Sequence, residues 1–220
     1  MSAEAAGQSS DSAAGYPRGR SVVERFCKRM IDIVGAIFCL VCTCPLSIAI
    51  AIAIKLDDGG PVFYRRRVLG VEGEFDAYKF RTMRVDADKA LEGDPHLKAR
   101  FEQNFKMKDD PRITRLGAFL RRFSLDEIPQ FLNVFVGQMS LVGPRMITRP
   151  ELAKYGAAGH RLLSTKPGLT GYWQVNGRQN VDYNVRVRMD LFYIENWSLL
   201  MDLQILLRTP LLVLKAEGSY

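Results

Sequence analysis

From Ile33 to Ile54 the chain reads IVGAIFCLVCTCPLSIAIAIAI, 22 residues without a charge. As helix, at about 1.5 Å per residue, this run is roughly 33 Å long, close to the ~30 Å hydrocarbon thickness of a bilayer. A helix in a soluble core is seldom this long and apolar on every face, so the run predicts membrane insertion. A simple crossing meets two difficulties. Basic residues flank both ends: Arg18, Arg20, Arg25, Lys28 and Arg29 before the run, Lys55, Arg65, Arg66 and Arg67 after it. The preference of positive charge for the cytoplasmic side cannot be met at both ends of a spanning helix. Pro45 then sits inside the run, where it removes one N–H and crowds the carbonyl four residues back. Thr43 and Ser47 are placed to serve freed backbone groups. Together these features favour a re-entrant helix–break–helix over residues 21–56, with the break at Pro45, against the competing form of a kinked spanning helix. Asp32, at the start of the run, is expected to pair with Arg29 or Lys28 at the interface.

Residues 1–20 are small, polar and low in complexity and read as a disordered tail. Residues 57–220 are left to form a cytoplasmic catalytic domain. The net charge of +7 and pI of about 9.3 point to an anionic partner, which a phosphorylated substrate or an acidic membrane surface would satisfy. The four cysteines, Cys27, Cys39, Cys42 and Cys44, lie in or beside the apolar run with no CxxC pair, and His96 and His160 are remote from them. Packing thiols are expected rather than a zinc site.

The rest reads as a mainly helical α+β chain. Val62–Tyr64 and Phe75–Phe80 are strand-like, with Gly70 and Gly73 marking the turn of a hairpin. Residues 86–108 are charged and helical. Asp109 to Arg112 turns into an amphipathic helix, Ile113 to Arg122, and Ser124 to Val136 is helical again. Gly137 to Arg145 and Lys166 to Arg178 read as loops. Val181, Val185, Met189 and Phe192 recur at helical spacing. Trp197 to Leu214, interrupted by Asp202, Gln204, Arg208 and Pro210, suits a helix in the membrane interface, with Tyr193 and Trp197 near the headgroups, or an ordinary core helix.

Chemistry concentrates in RRFSLDEIPQ, where the adjacent carboxylates Asp126 and Glu127 follow Arg121 and Arg122. Ser124 and Glu127 fit a capping box, and with Asp126 as cap Pro129 is tolerated in the first turn. The carboxylates also suit chemistry. An aspartate can attack phosphorus, and a neighbouring glutamate can share a Mg²⁺ ion or take a proton. Phosphoryl transfer needs cations around it, and Lys79, Arg81, Arg112 and Arg145 are candidates. Asp86 and Asp88 form a D-x-D, the basis of an alternative reading as a metal-dependent glycosyltransferase. A non-enzymatic membrane scaffold is the second alternative. No P-loop, dinucleotide fingerprint or nucleophile-triad motif is present. The basic residues flank an apolar run instead of interleaving with aromatics, which argues against nucleic acid.

Several long motifs in fixed order, from about Phe26 to the C-terminus, resemble the bacterial sugar transferase family of monotopic phosphoglycosyl transferases in its minimal form. They are KRMIDIVGA, the apolar run with its inner proline, GGPVFYRRRVLG, YKFRTM, KDDPRITRLGAFLRRFSLDEIPQFLNVFVGQMSLVGPR and KPGLTGYWQVNGR. The resemblance implies that Asp126 attacks the β-phosphate of a UDP-sugar and releases UMP. Undecaprenyl phosphate then takes the phospho-sugar from Asp126. It gives Glu127 a metal-binding or proton-handling role and Arg145 a phosphate. It sets Lys79, Arg81 and Arg112 near the diphosphate, and Pro167, Gly168, Gln174, Asn176 and Arg178 in a region holding the nucleotide sugar. Mg²⁺ is the implied cofactor, bound by Asp126 and Glu127. The implied partners are a UDP-hexose (galactose or glucose), undecaprenyl phosphate and phospholipid at the cytoplasmic face of the bacterial inner membrane, for a first step of exopolysaccharide assembly. A homodimer is compatible with this form. Two departures stand out: Cys44-Pro45 replaces the family's frequent Ser-Pro, and Met146 follows Arg145 where G-P-R-P is common.

Overall fold

The computed structural model describes residues 21–96, 98, 99, 110–177 and 182–215. The expected tail, much of the charged stretch after His96, Asp109, Arg178 and Val181 lie outside them. Among the described residues the chain is mostly helical, with two small two-stranded sheets.

Helix α1, Val22–Asp58, starts at a capping box in which Ser21 Oγ accepts from Val23 N–H and Ser21 N–H donates to Glu24. It ends at Gly59, whose φ of 70° is left-handed. This is the one described helix long and apolar enough to cross a membrane. It runs unbroken through Pro45, so the expected interruption is a proline within a continuous helix. Thr43 Oγ1 donates to Cys39 O at 2.6 Å, not to the carbonyl of Val41 that Pro45 deprives of its N–H. Burial along α1 is confined to its two ends: Lys28, Asp32 and Ala36 near the start, Ile50 and Ile54 near the finish. Between them Ile37, Phe38, Val41, Leu46 and Ile48 are exposed.

Strands β1, Phe63–Gly70, and β2, Gly73–Phe80, form an antiparallel hairpin with Gly70 opposite Gly73. The first strand is longer than expected: Arg65 and Arg67 take its exposed face, while Arg66, on the inner face opposite Ala77, reaches Glu151 at 3.3 Å. Arg67 reaches Glu74 and Asp76, while Val68, Phe75 and Ala77 face the core. Short helix α2, Ala87–Gly93, follows. Helix α3, Arg115–Arg122, is capped by Thr114 Oγ1, which accepts from Gly117 N–H at 2.9 Å.

The Ser124 to Val136 stretch is not one helix. Ser124 adopts φ 54°, a 3₁₀ turn covers Leu125–Glu127, and α4, Gln130–Val136, begins after Pro129. Neither Ser124 nor Asp126 acts as a cap, because Glu127 is drawn to a lysine instead. Asn133 of α4 clamps the hairpin: its Oδ1 accepts from Tyr78 N–H and its Nδ2 donates to Asp76 O.

Both stretches read as loops contain a strand. Strand β3, Ser140–Val142, runs parallel to β4, Gly168–Thr170. A Cβ on Gly168 would lie 2.1 Å from Gly143 N, so the close backbone approach requires glycine there. Three short helices follow in this part of the chain, α5, Arg149–Leu152, α6, Gly159–Leu163, and α7, Tyr172–Asn176.

Helix α8, Tyr183–Asn196, buries Asp190, Tyr193 and Ile194. The apolar stripe read at Val185, Met189 and Phe192 is not its inward face, because the inward polar residues find partners in the body. Helix α9, Leu199–Lys215, carries Pro210 inside it. Tyr193 and Trp197 are buried in the core, not placed at a headgroup level, since both donate to Asp202 (2.7 and 2.9 Å). Lys28 Nζ donates to the same carboxylate at 2.6 Å and to Val142 O at 2.9 Å. Asp32 pairs with neither Lys28 nor Arg29. Its Oδ1 accepts from Ser140 Oγ and Leu141 N–H, and Arg29 donates to Val134 O and Phe135 O at the end of α4. The start of α1 is thus tied to β3 and α9 by buried polar contacts and to α4 by more exposed ones. Its finish packs through Ile50 and Ile54 against Phe80, Leu120 and Ile128.

Candidate active site

Strand alternation puts Lys79 on the same face of β2 as Phe75 and Ala77, turned towards the Leu125–Glu127 turn. Its Nζ lies 2.6 Å from Glu127 Oε1 and 3.4 Å from Asp126 Oδ2. Asp126 is only 6% exposed. The 3₁₀ turn, entered through the left-handed Ser124, is what sends two consecutive carboxylates to one lysine.

Arg121 approaches from the end of α3, where its Nε donates to Thr82 Oγ1 at 2.9 Å. That approach depends on Gly117, whose Cβ would stand 2.0 Å from Thr82 O. Arg145 enters from the loop after β3, with its guanidinium 5.3 Å from the Trp173 ring. Its Nε is buried and has no hydrogen-bond partner among the described residues.

These groups share one cleft of about 1740 Å³, lined on its polar side by Lys79, Arg121, Asp126, Glu127, Arg145 and Gln174. On its apolar side the same cleft is bounded by Val34, Phe38 and Leu46 of α1 and by Leu206, Pro210 and Val213 of α9.

Burial pushes the Asp126 carboxyl above the usual carboxylate range, against the opposing pull of Lys79. Burial acts on Glu127 in the same sense, but Lys79, Arg145 and Arg66 outweigh it and hold Glu127 below its ordinary value. Of the two, Glu127, the residue nearer the lysine, is therefore the more readily ionised. Burial and the neighbouring Arg186 and Arg66 lower Arg145, though a guanidinium stays charged.

The other expected site residues are arranged differently. Arg81 is engaged with Asp58 at the end of α1. Arg112 is held by Asp110 through two side-chain hydrogen bonds of 2.9 and 2.6 Å. Both still border the cleft. Pro167 O accepts from Ser140 N–H and Gly168 N–H donates to Pro144 O, so these two hold the loop that carries Arg145. Gln174 Oε1 is buried without a hydrogen-bond partner among the described residues. Asn176 is exposed and donates to Tyr172 O. Asp86 is half-exposed and paired with Arg84, and no cluster of three His, Cys, Asp or Glu able to hold a metal occurs among the described residues.

Residues 23–216 match the sequence profile of the family described as bacterial sugar transferase. The chain belongs to the bacterial sugar transferase family. Among curated members it is 45% identical over 201 residues to the undecaprenyl-phosphate galactose phosphotransferase of Salmonella typhimurium, covering 89% of this chain and 42% of that protein. It is 42% identical over 198 residues to the exopolysaccharide production protein ExoY of Sinorhizobium fredii, covering 88% of each. It is 39% identical over 206 residues to the UDP-glucose:undecaprenyl-phosphate glucose-1-phosphate transferase of Xanthomonas campestris, covering 88% of this chain and 40% of that protein. The chain therefore spans about two fifths of the longer sugar transferases and most of the shorter one.

Proposed function

We infer that this chain transfers a hexose-1-phosphate from UDP-galactose or UDP-glucose to undecaprenyl phosphate, as a first step of exopolysaccharide assembly. The observation that carries the reading is the buried carboxylate of Asp126, facing a cleft whose one wall is cationic and whose other wall is apolar helix. A nucleotide diphosphate needs the first wall and a polyprenyl chain the second. The names of the Salmonella and Xanthomonas relatives supply the substrate classes.

In the first step an Asp126 carboxylate oxygen attacks the β-phosphorus. The bond between that phosphorus and the oxygen bridging to the α-phosphate breaks, and UMP leaves with the electron pair. Arg145 and Arg121 meet the charge that builds on the phosphoryl oxygens. In the second step a phosphate oxygen of undecaprenyl phosphate attacks the phosphorus held on Asp126. The acyl-phosphate bond breaks and the carboxylate is restored. Glu127 keeps the lysine close and orders the cationic wall.

Lys79 Nζ sits within reach of both carboxylates, so the pair accepts a cation. Two adjacent carboxylates together with substrate phosphates form a donor set suited to Mg²⁺. Asp126 and Glu127 would hold that ion, which supplies charge neutralisation of the diphosphate when bound.

Both ends of α1 are fastened to one polar body, Lys28 and Asp32 at the start and Ile50, Ile54 and Asp58 at the finish. A helix crossing a bilayer would part its ends by the full membrane thickness. The fastening therefore supports entry and exit by the cytoplasmic face of the inner membrane, with the exposed middle of α1 in lipid.

The test of function is the nucleotide product. Purified protein given UDP-hexose and undecaprenyl phosphate should release UMP, and Asp126→Asn should release none. UDP as product would favour a glycosyltransferase, and UMP release by the variant would remove Asp126 as nucleophile.

A further inference from the structure

Arg145 must be held in place in the cleft it shares with Asp126 if it is to meet the transferred phosphate, yet its side chain has little to hold it. The Nε is buried without a hydrogen-bond partner among the described residues, and the guanidinium is steadied by the Trp173 ring. The backbone does the holding. Gly143 N–H donates to Thr170 O at 3.0 Å, Gly168 N–H donates to Pro144 O at 2.9 Å, and Arg145 bridges to Gly168. One further bond comes from outside the sheet. The Arg145 N–H donates to Asp190 Oδ1 at 3.3 Å.

Asp190 is 1% exposed, and its other oxygen accepts from Tyr155 Oη at 3.0 Å. A buried carboxylate bonded to two neutral donors is a costly way to fill a core position, because no cation among the described residues bonds to it directly to offset its desolvation. Burial pushes it up to about 6, opposed by the hydrogen bonds from Tyr155 and Arg145 N–H and by Arg186 and Arg145. One turn before it on α8, Arg186 lies 5.3 Å from the same Trp173 ring. The same stretch of α8 thus reaches Arg145 by two routes, a hydrogen bond to its backbone and a cation on the ring that steadies its side chain.

We propose that Asp190 is a positioning residue for Arg145, accepting its backbone N–H and itself aimed by the Tyr155 hydroxyl. The inference rests on the phosphate-binding role given to Arg145 above. It assigns α8, a helix outside every motif of the sequence reading, to the placement of the reacting phosphate. Asparagine can imitate this role: its amide oxygen accepts from Arg145 N–H, and its amide nitrogen donates to the Tyr155 oxygen. Alanine cannot.

The test is a double-mutant cycle on the detergent-solubilised full chain, read as UMP release and as binding of inorganic pyrophosphate. Asp190→Ala should lower kcat by about 10²-fold, the scale expected when a positioned group moves by an ångström. Asp190→Asn should restore most of that loss. In an Arg145→Ala background Asp190→Ala should change nothing further, because its whole effect passes through Arg145. Tyr155→Phe gives the same cycle with a smaller loss and decides the matter if Asp190→Ala does not fold. Equal losses with and without Arg145, or Asp190→Asn as damaging as Asp190→Ala in a folded protein, would overturn the proposal. If the wild type releases no UMP, the functional reading fails by itself and pyrophosphate affinity carries the cycle. A wild type that does not bind pyrophosphate either would overturn the proposal as well.

Discussion

Lys79 governs the charge of the two carboxylates, since it is the nearest cation to both and opposes their burial. A nucleophilic Asp126 must be ionised, so turnover falls as pH falls through its raised value. Lys79 lowers that value, and its removal moves the limb the other way. Lys79→Met should therefore shift the acid limb of kcat/KM to higher pH, in addition to lowering the plateau by about 10²-fold or more as a lost phosphate-side cation does. An acid limb that stays in place would show that Asp126 is not the titrating group. The adjacent carboxylates, Lys79 and Arg145 stand out in the sequence by residue type and motif, and one cleft gathers them. The motif does not single out Arg121 over Arg122, although Arg121 lies four residues after the buried Gly117 and so shares its face of α3. Arg81 and Arg112 stand out by motif, and no motif discloses that Asp58 and Asp110 are their partners.

At the scale of elements, one buried carboxylate of the body, Asp202, is a centre of the join at the start of α1. Asp202 gathers Lys28, Tyr193 and Trp197, and Lys28 also reaches Val142 O. Val142 ends the strand from which the Arg145 loop departs, so the anchor and the site share a support. Removing one partner of a buried ion pair costs about 3–5 kcal/mol. Lys28→Ala should lose about that much in a denaturation measurement and should lower transfer activity in the fraction that remains folded. A loss below about 1 kcal/mol, the range of an exposed pair, would contradict the account. The apolar run is legible by its length, the hairpin by the glycines of its turn and α3 by its amphipathic period. Strands β3 and β4 have three residues each, too few for alternation to show, and their glycines look like loop residues until the parallel pairing is seen. Trp197 and Tyr193 look like headgroup anchors in sequence because nothing in the pattern reveals that Asp202 awaits them.

For the whole molecule, the site lies where an apolar helix meets a cationic body, and the cleft has a wall from each. The flanking charges and Pro45 already argued that both ends of α1 belong on one side of the bilayer. The sequence could not show that each end is bonded to the same body. Cysteines placed at Ser21 and Asp57, in a protein with Cys27, Cys39, Cys42 and Cys44 replaced by alanine, should both resist an impermeant maleimide in intact cells and both react after permeabilisation. Labelling of one end in intact cells would make α1 a spanning helix. The covalent step is tested most directly by incubating the protein with UDP-hexose labelled in the β-phosphate, without lipid acceptor, and quenching in acid. The account predicts label on the protein, confined to the peptide that carries Asp126, and its discharge on adding undecaprenyl phosphate. Label that never joins the protein, while complete reaction mixtures form the lipid-linked product, would contradict it.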